Sequence, residues 1–201
     1  MELFEQQLTG RDDHLAGQSE TMDDVVYHYN SLGFRGQEFA GEVGVVGDSF
    51  VFGLGVAHAF PHILSMDNMG YPSASNDMIV RHAIQYIRNY APATVVVCWT
   101  YGYRREWIRP DGKVYRFKNM DMETPDDYFW LMSELQNEPW DNYNYYKNKL
   151  LIESFCAVNN VKLLQIDNHV IVNDKKGADG KHPGQEWHNA VAIKVSEMLD
   201  A

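Results

Sequence analysis

Val43-Gly44-Val45-Val46-Gly47-Asp48-Ser49-Phe50-Val51-Phe52-Gly53-Leu54-Gly55 is a short apolar run that breaks into a Gly-Asp-Ser turn. The run is too short for a helix and rich in Val, so it predicts one strand of a parallel sheet covered on both faces. A serine at the carboxyl end of such a strand stands where open α/β sheets place their ligands. The turn that follows can offer backbone N–H groups to an anion.

The neighbouring segments fit an α/β pattern. Upstream, Val25-Val26-Tyr27-His28-Tyr29 is a β-type run, and Asn30 to Gly36 reads as a glycine-bent turn with Arg35 solvated or paired to an acid. Residues 1–24 are polar and without period, which predicts an arm or a frayed start. Downstream, 56–65 read as a helix with Pro61 near its first turn, and 66–70 as a short strand. Ser75 is placed to cap a helix over 76–90, whose apolar residues recur at helical spacing. Thr94-Val95-Val96-Val97-Cys98-Trp99 is the strongest β-type run and predicts a central strand. Residues 141–159 predict a helix with Tyr143, Tyr146, Leu150, Leu151, Phe155 and Val158 inward. Residues 161–166 predict the next parallel strand. A loop over 167–181 then leads to Pro183 and a final helix burying Trp187, Ala190, Val191, Val195 and Met198.

Between 101 and 147 the composition changes. This stretch holds 12 of the chain's 26 aromatic residues together with Arg104, Arg105 and Arg109. Trp107 to Tyr115 reads as a β-hairpin around Pro110-Asp111-Gly112, and 122–136 as a short helix. Such an insert would overhang a site at the end of the central strand, with Tyr101, Arg104 and Trp107 as candidate substrate contacts; a small hydrophobic cluster under a long loop is the plainer reading.

A chain of 201 residues with 45% apolar and 22% charged residues is most simply one globular domain. The expected organisation is the arm, then a single domain over 25–201. Net charge is −11, which argues against nucleic acid as partner. The first thirty residues contain no apolar core segment, so neither a signal peptide nor a membrane anchor is expected, and a cytoplasmic or virion-associated setting is favoured. Cys98 and Cys156 read as reduced core thiols.

Two blocks give the chain a family resemblance. Gly47-Asp48-Ser49, in its Val-Val-Gly-Asp-Ser-Phe-x-Phe-Gly setting, resembles the first block of the SGNH/GDSL hydrolases, an esterase and lipase superfamily with its nucleophilic serine there. Ala178-Asp179-Gly180-Lys181-His182-Pro183 has the Asp-x-x-His form of that family's last block, and some relatives carry a segment similar to Asn30–Gly36. The resemblance implies a flavodoxin-like three-layer α/β/α sandwich around a mostly parallel five-stranded sheet, a Ser-His-Asp hydrolase needing no cofactor, and an ester of a small molecule or glycan as substrate. Asn68 to Ser75 resembles the second block, with Ser73 where the family has the oxyanion glycine. The third block, normally Gly-x-Asn-Asp, reads Thr100-Tyr101-Gly102-Tyr103-Arg104 here, so its Asn donor is missing. Asn76-Asp77 imitates the dipeptide but precedes the strand and is not given that role.

The chemistry of these residue types supports the same assignment. A serine hydroxyl needs a base within hydrogen-bonding reach, and the base needs a carboxylate to hold its tautomer. Ser49, His182 and Asp179 supply the three groups. Asp48 reads as a turn former. The N–H groups of Ser49 and Ser73 would hold the oxyanion, with Thr100 as third donor and Arg104 as runner-up. No metal is expected: His182, Glu186 and His188 do not share one helix face, and His58 and His62 lack a third ligand. An inactive glycan- or partner-binding module and an O-acyltransferase are the alternatives.

Overall fold

The computed structural model describes residues 8–10, 13–108, 114–117, 138–167 and 175–201. Its strands are β1 (Ser19–Met22), β2 (Val25–His28), β3 (Val43–Gly47), β4 (Asp67–Gly70), β5 (Thr94–Trp99), β6 (Arg105–Ile108), β7 (Val114–Phe117) and β8 (Lys162–Asp167). Its helices are α1 (Ser49–Phe52), α2 (Phe60–Ile63), α3 (Asn76–Tyr90), α4 (Glu138–Asn159) and α5 (Gln185–Asp200).

Strands β4-β3-β5-β8 form a sheet in that order, with every pair parallel. Four strands, not five, make up this sheet among the described residues. Strict alternation along β3 and β5 builds the layers. Val46, Val95, Val97 and Trp99 pack with α3 and α4, through Ile79, Ala83, Tyr86 and Ile152. Val45, Val96 and Cys98 pack on the other face with Trp187, Val191 and Val195 of α5. Each such side chain contributes roughly 1.5–3 kcal/mol by leaving water, which makes the three-layer arrangement the stable one for this pattern. Among the described residues no helix is long and apolar enough to cross a membrane.

Local chemistry sets the element ends. Ser75 Oγ accepts from Met78 N at 3.1 Å and caps α3 as expected. The buried Asp67 carboxylate accepts from Ala40 N and Gly41 N, each at 2.8 Å, and from the Tyr86 hydroxyl at 2.5 Å, fixing β4 to α3.

The structure departs from the expectations in several places. Within the expected arm, β1 pairs with β2 through a two-residue turn, Asp23 and Asp24, both left-handed, and Leu8 is buried in the main core, while residues 1–7 and 11–12 lie outside the described residues. Only residues 60–63 of the expected 56–65 helix are helical, because the carbonyls of Val56 and Ala57 accept from Arg35 instead of continuing a helix. In α4 the apolar side is turned outward: Tyr143, Tyr146, Leu150, Leu151 and Val158 are exposed, while Asn144, Asn148, Ile152 and Cys156 face inward. That rotation follows from Asn148 Nδ2 donating to Asp77 Oδ1 at 2.9 Å, at the start of α3. On α5, Ala190 is exposed and His188 and Ala192 are buried. Strands β6 and β7 pair antiparallel, but the turn residues 109–113 and the expected helix over 122–136 lie outside the described residues. Both cysteines are free and buried.

Candidate active site

Strand β3 delivers the serine. Asp48 leaves the strand in extended conformation and caps α1, its Oδ1 accepting from Phe50 N at 3.0 Å. Ser49 is the first residue of that short helix and is 5% exposed. On one side, the turn after β4 is tied to β3 by Tyr71 N donating to Gly47 O at 3.0 Å, which sets Ser73 beside the strand end. Ser73 is left-handed, with φ 62°. A residue with a Cβ holds that backbone at a cost of about 1–2 kcal/mol.

On the other side of β3, Thr100 follows β5. Its N–H donates to Asn76 Oδ1 at 3.0 Å, and its hydroxyl donates to Asp48 Oδ2 at 2.7 Å. Both Thr100 donors are thus engaged within the protein. Arg104 completes the group: its Nη1 donates to Asp48 Oδ2 at 3.0 Å and to Thr100 Oγ1 at 2.8 Å. Asp48 is therefore more than a turn former, since one buried carboxylate links the α1 cap to the end of β5. Tyr101 is 40% exposed and stacks on Tyr103, with the Arg104 guanidinium 5.2 Å from its ring centre. Trp107 lies in β6, and its side chain is outside the described part of the structure.

The Asp179–His182 loop docks from the far end of the chain. Ala178 N donates to Gly55 O at 2.8 Å, and Gly55 N donates to the Tyr27 hydroxyl at 2.9 Å. Gly55 has φ 78°, and a Cβ there would lie 2.8 Å from Asp179 Oδ1, so the docking needs glycine on both counts. Asp179 Oδ2 is hydrogen-bonded to His182 Nδ1, and Oδ1 accepts from the N–H groups of Lys181 and His182, each at 3.0 Å. Burial alone would raise the Asp179 carboxyl. The Lys181 N–H, the His182 ring and the His182 N–H outweigh it and hold the group below the ordinary carboxylate range. The His182 ring meets the edge of Phe50, the residue after Ser49, with centres 6.0 Å apart. No hydrogen bond joins Ser49 Oγ to His182 among the described residues.

Arg35 supports this assembly from behind. It is buried, and its guanidinium donates to four carbonyls, those of Phe52 (3.0 Å), Gly53 (2.5 Å), Val56 (2.7 Å) and Ala57 (2.9 Å), while lying 4.5 Å over the Tyr27 ring. It is neither solvated nor paired to an acid, as the sequence had suggested. Burial draws its pKa down to about 10, which leaves it cationic at neutral pH.

The histidines weighed as metal ligands point to separate partners. His188 Nδ1 accepts from Phe60 N, Glu186 pairs with Lys175, and His62 Nε2 meets Arg35 O. A cavity of about 690 Å³ is lined by His28, His58, His62, Ser65 and Arg35 among others, and Ser49 is not part of its lining. It is the weaker candidate for the chemistry, because the Nε2 of its His62 meets the Arg35 carbonyl and its Arg35 is already satisfied by four carbonyls. Burial, with Arg35 nearby, pushes His62 down to about 4.

No family model and no curated protein matches the sequence. Solved structures similar to it include the following two. One, a protein from Lactobacillus plantarum, is 18% identical, covered over 96% of its length by 79% of this chain, with a TM-score of 0.40. The other, from Bacteroides ovatus and named for its likeness to GDSL lipases, is 14% identical with a TM-score of 0.43; 87% of this chain covers 56% of that one. The functional reading accordingly rests on the side chains themselves.

Proposed function

We propose that this protein is a serine esterase of the SGNH/GDSL kind. The observation that carries the reading is the Asp179–His182 pair, hydrogen-bonded, with its carboxylate held ionised, set against Phe50 next to Ser49. In this mechanism Ser49 Oγ attacks the ester carbonyl while His182 Nε2 takes its proton. Asp179 holds the Nδ1 proton and steadies the imidazolium. The N–H groups of Ser49 and Ser73 receive the oxyanion. The intermediate collapses as His182 returns the proton to the leaving alcohol, and a water repeats the sequence on the acyl-enzyme. Turnover in this reading requires His182 Nε2 to come within hydrogen-bonding reach of Ser49 Oγ, a contact that in unliganded enzymes often forms only with substrate bound.

Deacetylation of a carbohydrate is the specific reaction we favour, because the stacked rings of Tyr101 and Tyr103 flank Arg104, which is bonded to Asp48, the residue before Ser49. A fluorophosphonate probe is expected to label wild-type protein at Ser49 and to leave Ser49→Ala untouched. The Ser49→Ala variant should lose roughly 10⁴–10⁶ in turnover of 4-nitrophenyl acetate. Equal labelling of both proteins would remove Ser49 as nucleophile. The engaged donors of Thr100 favour a second reading, a binding module without turnover; an unlabelled wild-type protein that still binds glycans would establish it.

A further inference from the structure

Helix α4 turns a continuous apolar stripe to solvent. Tyr143, Tyr146, Leu150 and Ala157 are exposed and recur at intervals of three, four and seven residues, the spacing by which one helix seats its side chains between those of another. Leu151 and Val158 widen the stripe. Exposure of its large residues runs from 42% at Leu151 to 82% at Val158. Taking about 200 Å² for a tyrosine and about 150 Å² for a leucine or valine, the five large side chains leave about 500 Å² in one patch, near the upper end of what a monomer shows. The opposite side of α4 is committed to the protein through Asn148, Ile152 and Cys156, so the stripe cannot turn inward.

We propose that this stripe is the two-fold interface of a homodimer, in which α4 of one copy packs antiparallel on α4 of a second copy of this chain. Two features select a second copy as the occupant. Area is one: a pair of stripes buries about 1,000 Å² in the large apolar side chains alone, and the exposed Lys147, Ser154 and Ala157 between them bring it into the range of about 1,200–2,000 Å² typical of a stable interface. The stripe is also complementary to its own reverse. With the axis at Leu150, Tyr143 of one copy faces Ala157 of the other and Tyr146 faces Ser154, so each ring of the bulky half meets a small residue of the slender half. A parallel pair would set ring against ring and align the two helix dipoles, which the antiparallel pair opposes.

Analytical ultracentrifugation of the wild-type protein from about 1 µM to about 500 µM is expected to show a monomer–dimer equilibrium. Leu150→Glu, which sets two carboxylates against each other at the axis, should weaken it by about 100-fold or more. Ile193→Glu makes the same change at an exposed apolar residue of α5, on the other face of the sheet, and should leave it unaltered. Both side chains are solvated in the monomer, so dilute protein should keep its unfolding midpoint in each variant. A wild-type protein that stays monomeric throughout, or a dimer weakened equally by both variants, overturns the proposal. A fall in the dilute unfolding midpoint with Leu150→Glu would mean that the chain itself covers the stripe, and overturns it as well. Tyr143→Cys mixed with Ala157→Cys under mild oxidation should give a disulfide-linked pair that neither variant forms alone. Crosslinking of Tyr143→Cys to itself would reject the antiparallel arrangement.

Discussion

His188 illustrates how a single buried ring ties stability to pH. It is 1% exposed, its Nδ1 accepts from Phe60 N at 3.2 Å, and its Nε2 is buried without a partner. Burial, the largest effect, and the nearby Arg35 cation push it down to about 3. Its folded pKa is depressed below the ordinary histidine value, so the unfolded chain takes up a proton that the folded chain refuses. Its contribution is complete above about pH 6.5 and is lost as pH falls toward 3. At pH 5 the loss from this ring alone is about 2 kcal/mol. Denaturant unfolding at pH 7 and pH 5 should show that drop together with a similar one from the buried His62, and His188→Asn should remove about half of the combined slope; an unchanged slope would refute the assignment. Asp179 acts in the same direction over a lower pH window. Its depressed carboxyl stabilises above its unfolded value and is lost only below the ordinary carboxylate range, so it adds nothing to the slope between pH 5 and 7.

Helix α4 and the segment 53–57 show where whole elements are decided by contacts distant in sequence. The outward apolar side of α4 leads to an ordering of substitutions: Ile152→Ala should cost about 2–5 kcal/mol by leaving a cavity. Leu150→Ala, at a residue 66% exposed, should cost under about 0.5 kcal/mol. Thermal unfolding of the two variants tests the orientation, and a reversed order would restore the one expected from periodicity. The periodicity misled because this helix carries large apolar residues on its solvent side and a polar Asn144–Asn148 pair against the protein, a choice enforced by Asp77. Segment 53–57 is likewise shaped from outside. Arg35→Lys keeps the charge but cannot satisfy four carbonyls in one plane, so it should unfold more readily by roughly 2–4 kcal/mol and lose turnover with it. Gly55→Ala, by contrast, should damage turnover more than stability, because its Cβ meets the Asp179 carboxylate. Comparing the unfolding midpoint with 4-nitrophenyl acetate hydrolysis separates the two variants.

Across the molecule, legibility followed the range of the forces involved. Strands β3 and β5, and α3 with its Ser75 cap, were plain in the sequence because a valine run and a serine ahead of a periodic segment are local signals. The serine, imidazole and carboxylate were legible as motifs, though only folding brings residue 182 beside residue 50. The β1–β2 hairpin was missed because its left-handed turn is made by two aspartates and no glycine. The roles of Arg35 and of the Asp48–Thr100–Arg104 group were missed because a buried cation satisfied by carbonyls, or one held by a carboxylate 56 residues away, leaves no pattern along the chain.

The Tyr27 hydroxyl, on a small two-stranded hairpin outside the main sheet, holds the same glycine that receives the Asp179 loop. Units with few buried contacts open first on warming. A slow temperature ramp should therefore extinguish hydrolysis before near-ultraviolet dichroism reports melting of the layered interior, and Tyr27→Phe should widen the gap between the two events. The protein would then carry its own fuse, failing in function while the bulk of it still stands.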